Sequence, residues 1–380
     1  MQITSKLPKV GTTIFSVMSA LANQHGAINL SQGFPNFDCP DELKDLVNKY
    51  LQEGKNQYVP MPGLPALRER LAHKIQAMYG YQLNPDTEIT ITAGATQALF
   101  TAIMAFVRAG EEVIVIEPAY DSYVPGIELA GGIPVSYNLS APDYRIDWEK
   151  MKQLVTPKTR MIIFNTPHNP VGKTLKREDI LALQNLTAGT DILVLSDEVY
   201  EHLIYDGAEH QSVLRFPELM KRSMAVYSFG KTFHSTGWKI GYIVGPDYLM
   251  NEFRKVHQFN VFCVNSFIQF ALADYLEDPA SYLSLPSFYQ QKRDFFQQAM
   301  AGSSLKPFSS EGTYFQLFDY SAISKEPDTE FAKRMTTEFG VAAIPVSVFY
   351  SNRQDDGVIR LCFAKTEDVL EEAGDLLRKV

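Results

Sequence analysis

The chain of 380 residues holds only three cysteines, Cys39, Cys263 and Cys362, an odd and scattered number with no C-x-x-C spacing. That pattern offers neither a disulfide framework nor a thiolate zinc set, and a reducing compartment is expected. No apolar run approaches the length of a bilayer span, and the first ten residues, MQITSKLPKV, lack the continuous apolar stretch of a signal peptide. The first acidic residue is Asp38, an acid-poor start of the organelle-transit kind, but no arginine accompanies it, so this segment is read as part of the mature chain and the expected location is the cytoplasm. Basic residues are in the minority, 35 against 44 acidic for a net charge of −9, which argues against nucleic acid or an anionic membrane as partner and in favour of small molecules. The seven histidines form no H-x-x-x-H pair or Cys/His cluster, and no G-x-G-x-x-G or Walker sequence occurs. Metal, nicotinamide and ATP chemistry therefore have no support.

What is present is an ordinary globular composition, 45% hydrophobic and 21% charged, long enough for a large core in two subdomains. Seven short β-rich runs, at 89–93, 113–117, 133–137, 160–165, 192–196, 224–228 and 240–244, alternate with segments of helical apolar spacing such as Gln97 to Arg108 and Arg177 to Leu186. This is the βαβ alternation of an α/β fold with a mainly parallel sheet, whose sites lie at the carboxyl ends of strands. From about residue 271 long polar helical stretches enclose two strand-like pieces, TYFQLFDY and GVIRLCFA, and a second, smaller α+β domain is expected.

Candidate residues cluster at predicted strand ends. Gly94, Ala95 and Thr96 open a helix after ITITA, where backbone N–H groups and the positive helix end can cradle a phosphate, although a βα turn with no ligand looks the same. Ser228 and Lys239 flank Lys231 in SFGKTFHSTGWK and add phosphate-binding candidates. Asp197 and Tyr200 follow ILVLS; a three-residue spacing on a starting helical turn points both side chains one way, while the plain reading of such an aspartate is a helix cap. Asn169 sits in the proline-broken turn NTPHNPVGK, and Tyr120 in EPAYDSY can stack on a ring or simply pack. Arg360 alternates with Ile359 and Leu361; an exposed ion pair is its ordinary fate, but a guanidinium fork is also the best ligand for an α-carboxylate. Gly33, in LSQGFPNF, can bring its backbone close to the same substrate. A reactive lysine among an acid, a phenol, an amide and an arginine is a parts set for holding pyridoxal phosphate and acting on an amino acid.

Taken in order, the segments LSQGFPNF, NQYVPMPGLPALRE, ITAGATQALF, NTPHNPVGK, SDEVYEHL, SFGKTFHSTGWKIGY and IRLCFAK resemble the successive signatures of the class I and II aminotransferases of fold type I, from about Thr13 to the C-terminus. Within that family the chain is most similar to the kynurenine aminotransferase and glutamine transaminase K group and to bacterial methionine aminotransferases. The resemblance implies a large cofactor-binding domain with a mainly parallel seven-stranded sheet over 41–275, and a small domain made of an N-terminal arm, 1–40, with the C-terminal part, 276–380. It implies Lys231 as the Schiff-base lysine, Asp197 as partner of the pyridine nitrogen, Asn169 and Tyr200 as ligands of the ring oxygen, Tyr120 as ring stacker and Arg360 as carboxylate ligand. Ala95, Thr96, Ser228 and Lys239 fall at phosphate-binding positions, and Tyr58 falls where a tyrosine reaches the phosphate of the neighbouring subunit. A homodimer with shared active sites follows from the same likeness.

The resemblance also places Phe15, and from the partner subunit Phe262 and Cys263, around the substrate side chain. Some relatives carry histidine at the last position, so Cys263 removes a titratable contact; with no second arginine there, an apolar, sulfur-tolerant pocket is expected, suiting methionine, aromatic or glutamine-like amino acids. A cysteine-conjugate carbon–sulfur β-lyase on the same fold is the alternative reading. A cofactor-sensing regulator is disfavoured by the acidic charge.

Overall fold

The structure, a computed structural model, describes residues 3–380. The chain starts with helix α1 (Ile14–His25), whose cap Thr13 accepts from the Ser16 amide and whose end turns on Gly26 at φ 63°. Strand β1 (Ile28–Asn29), α2 (Asp41–Gln52) and α3 (Pro65–Tyr79) follow, with Pro65 in the first turn of α3, where no amide bond is lost.

The central sheet comprises β2 (Ile89–Thr92), β3 (Glu112–Glu117), β4 (Ile133–Asn138), β5 (Thr159–Asn165), β6 (Leu193–Asp197), β7 (Ser223–Ser228) and β8 (Gly241–Val244) in the order β2-β8-β7-β6-β5-β3-β4. Only β8 runs antiparallel to its neighbours β2 and β7, so the sheet is mixed but mainly parallel. All seven strands predicted for this sheet are present, each end within a residue of its expected position. The runs are apolar on both faces because both are covered. Val113, Val115, Met161, Ile163, Leu195 and Val226 pack with α4 (Ala95–Phe106) and the helix Asp247–Asn260, while the alternate residues Ile114, Ile162, Phe164, Val194 and Tyr227 join a second core.

Strands β9 (Lys306–Pro307), β10 (Phe315–Asp319), β12 (Ile344–Pro345) and β13 (Val358–Cys362) form an antiparallel sheet ordered β12-β13-β10-β9, and β11 (Val341–Ala342) pairs in parallel with β1. The N-terminal segment is thereby stitched to the C-terminal part of the chain rather than to the central sheet. Among the described residues no helix is long and apolar enough to cross a membrane.

The register lines up the chemistry. Asn165 lies opposite Asp197, and Gly241 lies opposite both Ser228 and Thr92, so five strands present their ends along one edge. Because β8 is antiparallel, its leading residue Lys239 arrives at the same edge where the parallel strands finish. Gly241 is required there: a Cβ would lie 2.4 Å from the Tyr227 carbonyl oxygen.

The turn after β6 is anchored from behind. Glu201 accepts from the Lys74 ammonium and from the hydroxyls of Tyr79 and Tyr242, the last at 3.2 Å, while Glu198 accepts from Ser196 Oγ at 2.8 Å, Tyr227 at 3.0 Å and the Val213 amide at 3.1 Å. Burial alone would raise the Glu201 carboxyl, but Lys74 and His202 hold it below the usual carboxylate range. Lys74→Met leaves that carboxylate buried and uncompensated, so we expect a loss of about 3–5 kcal/mol of stability. It is read as a lower thermal and urea midpoint, with Lys74→Met/Glu201→Gln recovering most of it. A single variant as stable as the parent would remove this network from the account.

Candidate functional site

One cavity of about 240 Å³ opens at the carboxyl ends of the central strands, against β10 and β13. The candidate residues line it with three exceptions, Tyr58, Phe262 and Cys263. Tyr58 is 82% exposed and Phe262 43%, with their rings edge-on at 5.2 Å, and Cys263 is half-buried beside them in sequence.

Lys231 projects from a one-turn helix, Phe229–Thr232, that begins where β7 ends. Its ammonium nitrogen donates to the Gly33 carbonyl at 3.2 Å and to the Tyr314 hydroxyl at 3.1 Å. Neither contact is a carboxylate, and burial pulls the amine down to about 8. A lysine in this condition supplies neutral, nucleophilic amine near neutral pH.

Asp197 ends β6 and is 4% exposed. Its Oδ2 accepts from Tyr123 Oη at 2.6 Å and its Oδ1 from the Val199 amide at 3.3 Å. Burial raises the carboxyl to about 6, with Tyr123 opposing the shift. The residues that follow form a turn and not a helix, which corrects the expectation of a starting helical turn. The Asp197 side chain bonds its own backbone two residues on, and that local bond competes with helix formation. Tyr200 nevertheless lines the same cavity, fully buried, its hydroxyl pushed upward by burial and so a donor at any working pH.

Asn169 is held by Asn165, whose Oδ1 accepts the Asn169 amide at 2.7 Å while its Nδ2 donates to the Asp197 carbonyl at 2.8 Å. Asn169 Oδ1 in turn accepts from Arg360 Nη1 at 2.8 Å, and Arg360 Nη2 donates to the Ser31 carbonyl at 2.9 Å. Arg360 does not meet the ordinary fate of a surface ion pair: it is 0% exposed, its guanidinium lies 3.9 Å from the Phe315 ring centre, and among the described residues Nε has no partner. Both faces of β13 are buried, so strand alternation carries no exposure information there. Burial lowers this group to about 10, which leaves it charged.

At the other end of the cavity α4 starts at Ala95 with no side-chain cap on its first amides. Lys239, at φ 54°, reaches across: a Cβ on Gly94 would meet its Cε and Nζ at 3.6 Å. Thr96, Ser228 and half-buried Tyr120 complete that end, with Tyr120 edge-on to Tyr123 at 6.0 Å.

These residues fit a phosphorylated pyridine aldehyde. An uncapped helix N-terminus beside a lysine suits the phosphate, a buried carboxylate lacking a cationic partner suits a protonated ring nitrogen, and a depressed lysine suits the aldehyde. Sequence reasoning missed two members. Tyr123 stood three residues beyond Tyr120 in EPAYDSY, and its bond to Asp197 reaches from the helix Tyr123–Leu129 to the end of β6; Tyr314 stood in a strand-like run with nothing to distinguish it from core.

The family model for aminotransferase class I and II matches residues 25–377. A methionine aminotransferase of Escherichia coli K12 is 52% identical over 377 residues, covering 99% of this chain and 98% of that one. The human kynurenine–oxoglutarate transaminase 1 is 35% identical over 394 residues, covering 94% and 93%. The solved YbdL of Escherichia coli, described as having a methionine aminotransferase function, superposes with a TM-score of 0.98 at 51% identity over the whole of both chains. With that likeness running the length of the fold and the site, this chain belongs to the class I and II aminotransferases, enzymes of fold type I that depend on pyridoxal phosphate.

Proposed function

We propose that this aminotransferase takes the amino group from an uncharged amino acid, methionine foremost and aromatic or glutamine-like ones besides, and passes it to a 2-oxo acid in a ping-pong cycle. The observation that carries the substrate class is the count of cations in the cavity. Lys231, Lys239 and Arg360 are its lysines and arginines among the described residues, and each has a task elsewhere than at the substrate side chain. Around the carboxylate site stand Phe15 and Phe315 instead, so an acidic side chain would be buried unpaired.

Bound in this cavity, pyridoxal phosphate supplies an aldehyde that captures the amino group and a ring that draws off the electrons left when Cα loses its proton. Asp197 would keep a proton on the ring nitrogen, and Tyr123 orients that carboxylate. Tyr200 and Asn169 would hydrogen-bond the ring oxygen, and Tyr120 would cover a ring face. Ala95, Thr96, Ser228 and Lys239 hold the phosphate. Arg360 grips the α-carboxylate, with Gly33 backbone alongside. Lys231, whose amine burial holds near 8, would serve as the general base that takes the proton from the substrate Cα and as the acid that returns it.

Tyr58, Phe262 and Cys263 serve the site of a second copy. The exposed pair of aromatic rings supports this homodimer, since large apolar surface left bare on one chain is costly unless covered. The two-domain division at 1–40 with 276–380 against 41–275 belongs to the same proposal, supported by the β1–β11 pairing. Three unpaired cysteines suit the cytoplasm.

The test is a visible spectrum of the purified holoenzyme with L-methionine and no oxo acid. Loss of the aldehyde band with release of the matching 2-oxo acid is the expected result. An unchanged band with methionine, but a change with aspartate, would overturn the substrate class. Ammonia and pyruvate from a cysteine conjugate, without any oxo acid and faster than methionine turnover, would favour the lyase instead.

A further inference from the structure

Tyr314 lies outside the set of groups just assigned, yet it touches the reacting nitrogen. It precedes β10, is 0% exposed, and its ring packs edge-on against Tyr200 at 5.2 Å and Phe315 at 4.9 Å. Its hydroxyl donates to the Gly33 carbonyl at 2.6 Å, and the same two oxygens receive Lys231 at 3.1 and 3.2 Å. The three polar atoms form a closed triangle.

A hydroxyl has one hydrogen, and here Gly33 takes it. The phenol oxygen therefore faces Lys231 as an acceptor. A neutral amine has two hydrogens and one lone pair; with one hydrogen given to Tyr314 and the other to Gly33, the lone pair is the single free position on the nitrogen. That arrangement is what a base at Cα requires: an amine with no rotational choice about where its lone pair points.

We propose that Tyr314 is a positioning residue for Lys231, which with the Gly33 carbonyl parks the released amine and aims its lone pair. The proposal rests on the reading of Lys231 as the proton-moving base. Gly33 cannot be varied to test it, because a Cβ there would meet the Phe315 ring at 2.8 Å. Tyr314→Phe removes only the hydroxyl.

Besides Tyr314, the ionisable groups around Lys231 are Asp197 at the end of β6, Tyr200 in the turn that follows, Lys239 before β8, and Arg360 and Cys362 on β13. None changes in Tyr314→Phe. An acceptor stabilises an ammonium more than an amine, so losing the phenol oxygen makes Lys231 less basic.

Two measurements decide the matter. In cofactor-free protein, the pH dependence of Lys231 acylation by an amine-selective reagent, followed by peptide mass spectrometry, should move its half-point down by about one pH unit in Tyr314→Phe. In the holoenzyme, kcat with methionine should fall about ten- to a hundredfold with KM nearly unchanged, and the rate difference between ordinary and Cα-deuterated methionine should grow as proton transfer becomes limiting. Fluorotyrosine at 314, which keeps the hydroxyl, should restore both. An unmoved acylation profile overturns the proposal, as does a fall in kcat with no change in the isotope effect. The acylation profile needs no substrate, so failure of the parent enzyme to use methionine would count against the substrate reading alone.

Discussion

Lys231→Ala should lose transamination by about ten-thousandfold or more, because the change removes both the amine that holds the cofactor and the base that moves the Cα proton. The remaining cations of the cavity cannot substitute. Lys239 reaches across to Gly94 at the phosphate end, and Arg360 is pinned between Asn169 and Ser31 with no capacity to take up a proton. The variant should still fold, since its loss orphans nothing: the Gly33 carbonyl keeps the Tyr314 hydroxyl at 2.6 Å. It should still retain the cofactor non-covalently through Asp197, Asn169 and the phosphate cradle, which equilibrium dialysis would measure. Single-turnover assays with methionine that show more than a trace of oxo acid would remove Lys231 from its role.

The second large effect is expected at Arg360. Arg360→Leu exchanges a buried fork for an apolar side chain and should cut kcat/KM for methionine by about 30- to 5,000-fold, the equivalent of about 2–5 kcal/mol for a desolvated charge contact. Arg360→Lys keeps the charge but not the planar pair of donors, and should fall between. The discriminating control is the amine analogue of methionine that has no carboxylate. Its slow reaction with the holoenzyme should be nearly the same in parent and variant. Equal losses for both compounds would mean that Arg360 supports the cavity wall through Phe315 and Asn169 and does not bind the carboxylate.

These two residues show how differently a site can be read from a chain. Lys231 was legible because it sits in a glycine-flanked turn after an apolar strand, among residues whose types make sense together. Arg360 was legible as a guanidinium but not as a buried one. Alternation along β13 pointed to a wet face, and only the second layer, in which Ser31 of the N-terminal segment and Asn169 of the turn after β5 close over it, makes that face dry. The turn carrying Asp197 and Tyr200 shows the converse. Its members were found from their types and spacing, while the local conformation was wrong, because a side-chain bond to the Val199 amide and the buried anchors at Glu198 and Glu201 hold a non-helical turn.

By itself the sequence determined the alternation of strands and helices, the family, and most of the residues that meet in one cavity, because apolar runs and turn residues are local properties and reactive types stand at strand ends. Tertiary structure decided what those side chains are like. Burial moves Lys231 to about 8 and Asp197 to about 6, and Tyr123 and Tyr314 become their partners across 74 and 83 residues of chain. Desolvation and long-range hydrogen bonds depend on which distant segments fold over a group, and no window of the sequence contains them.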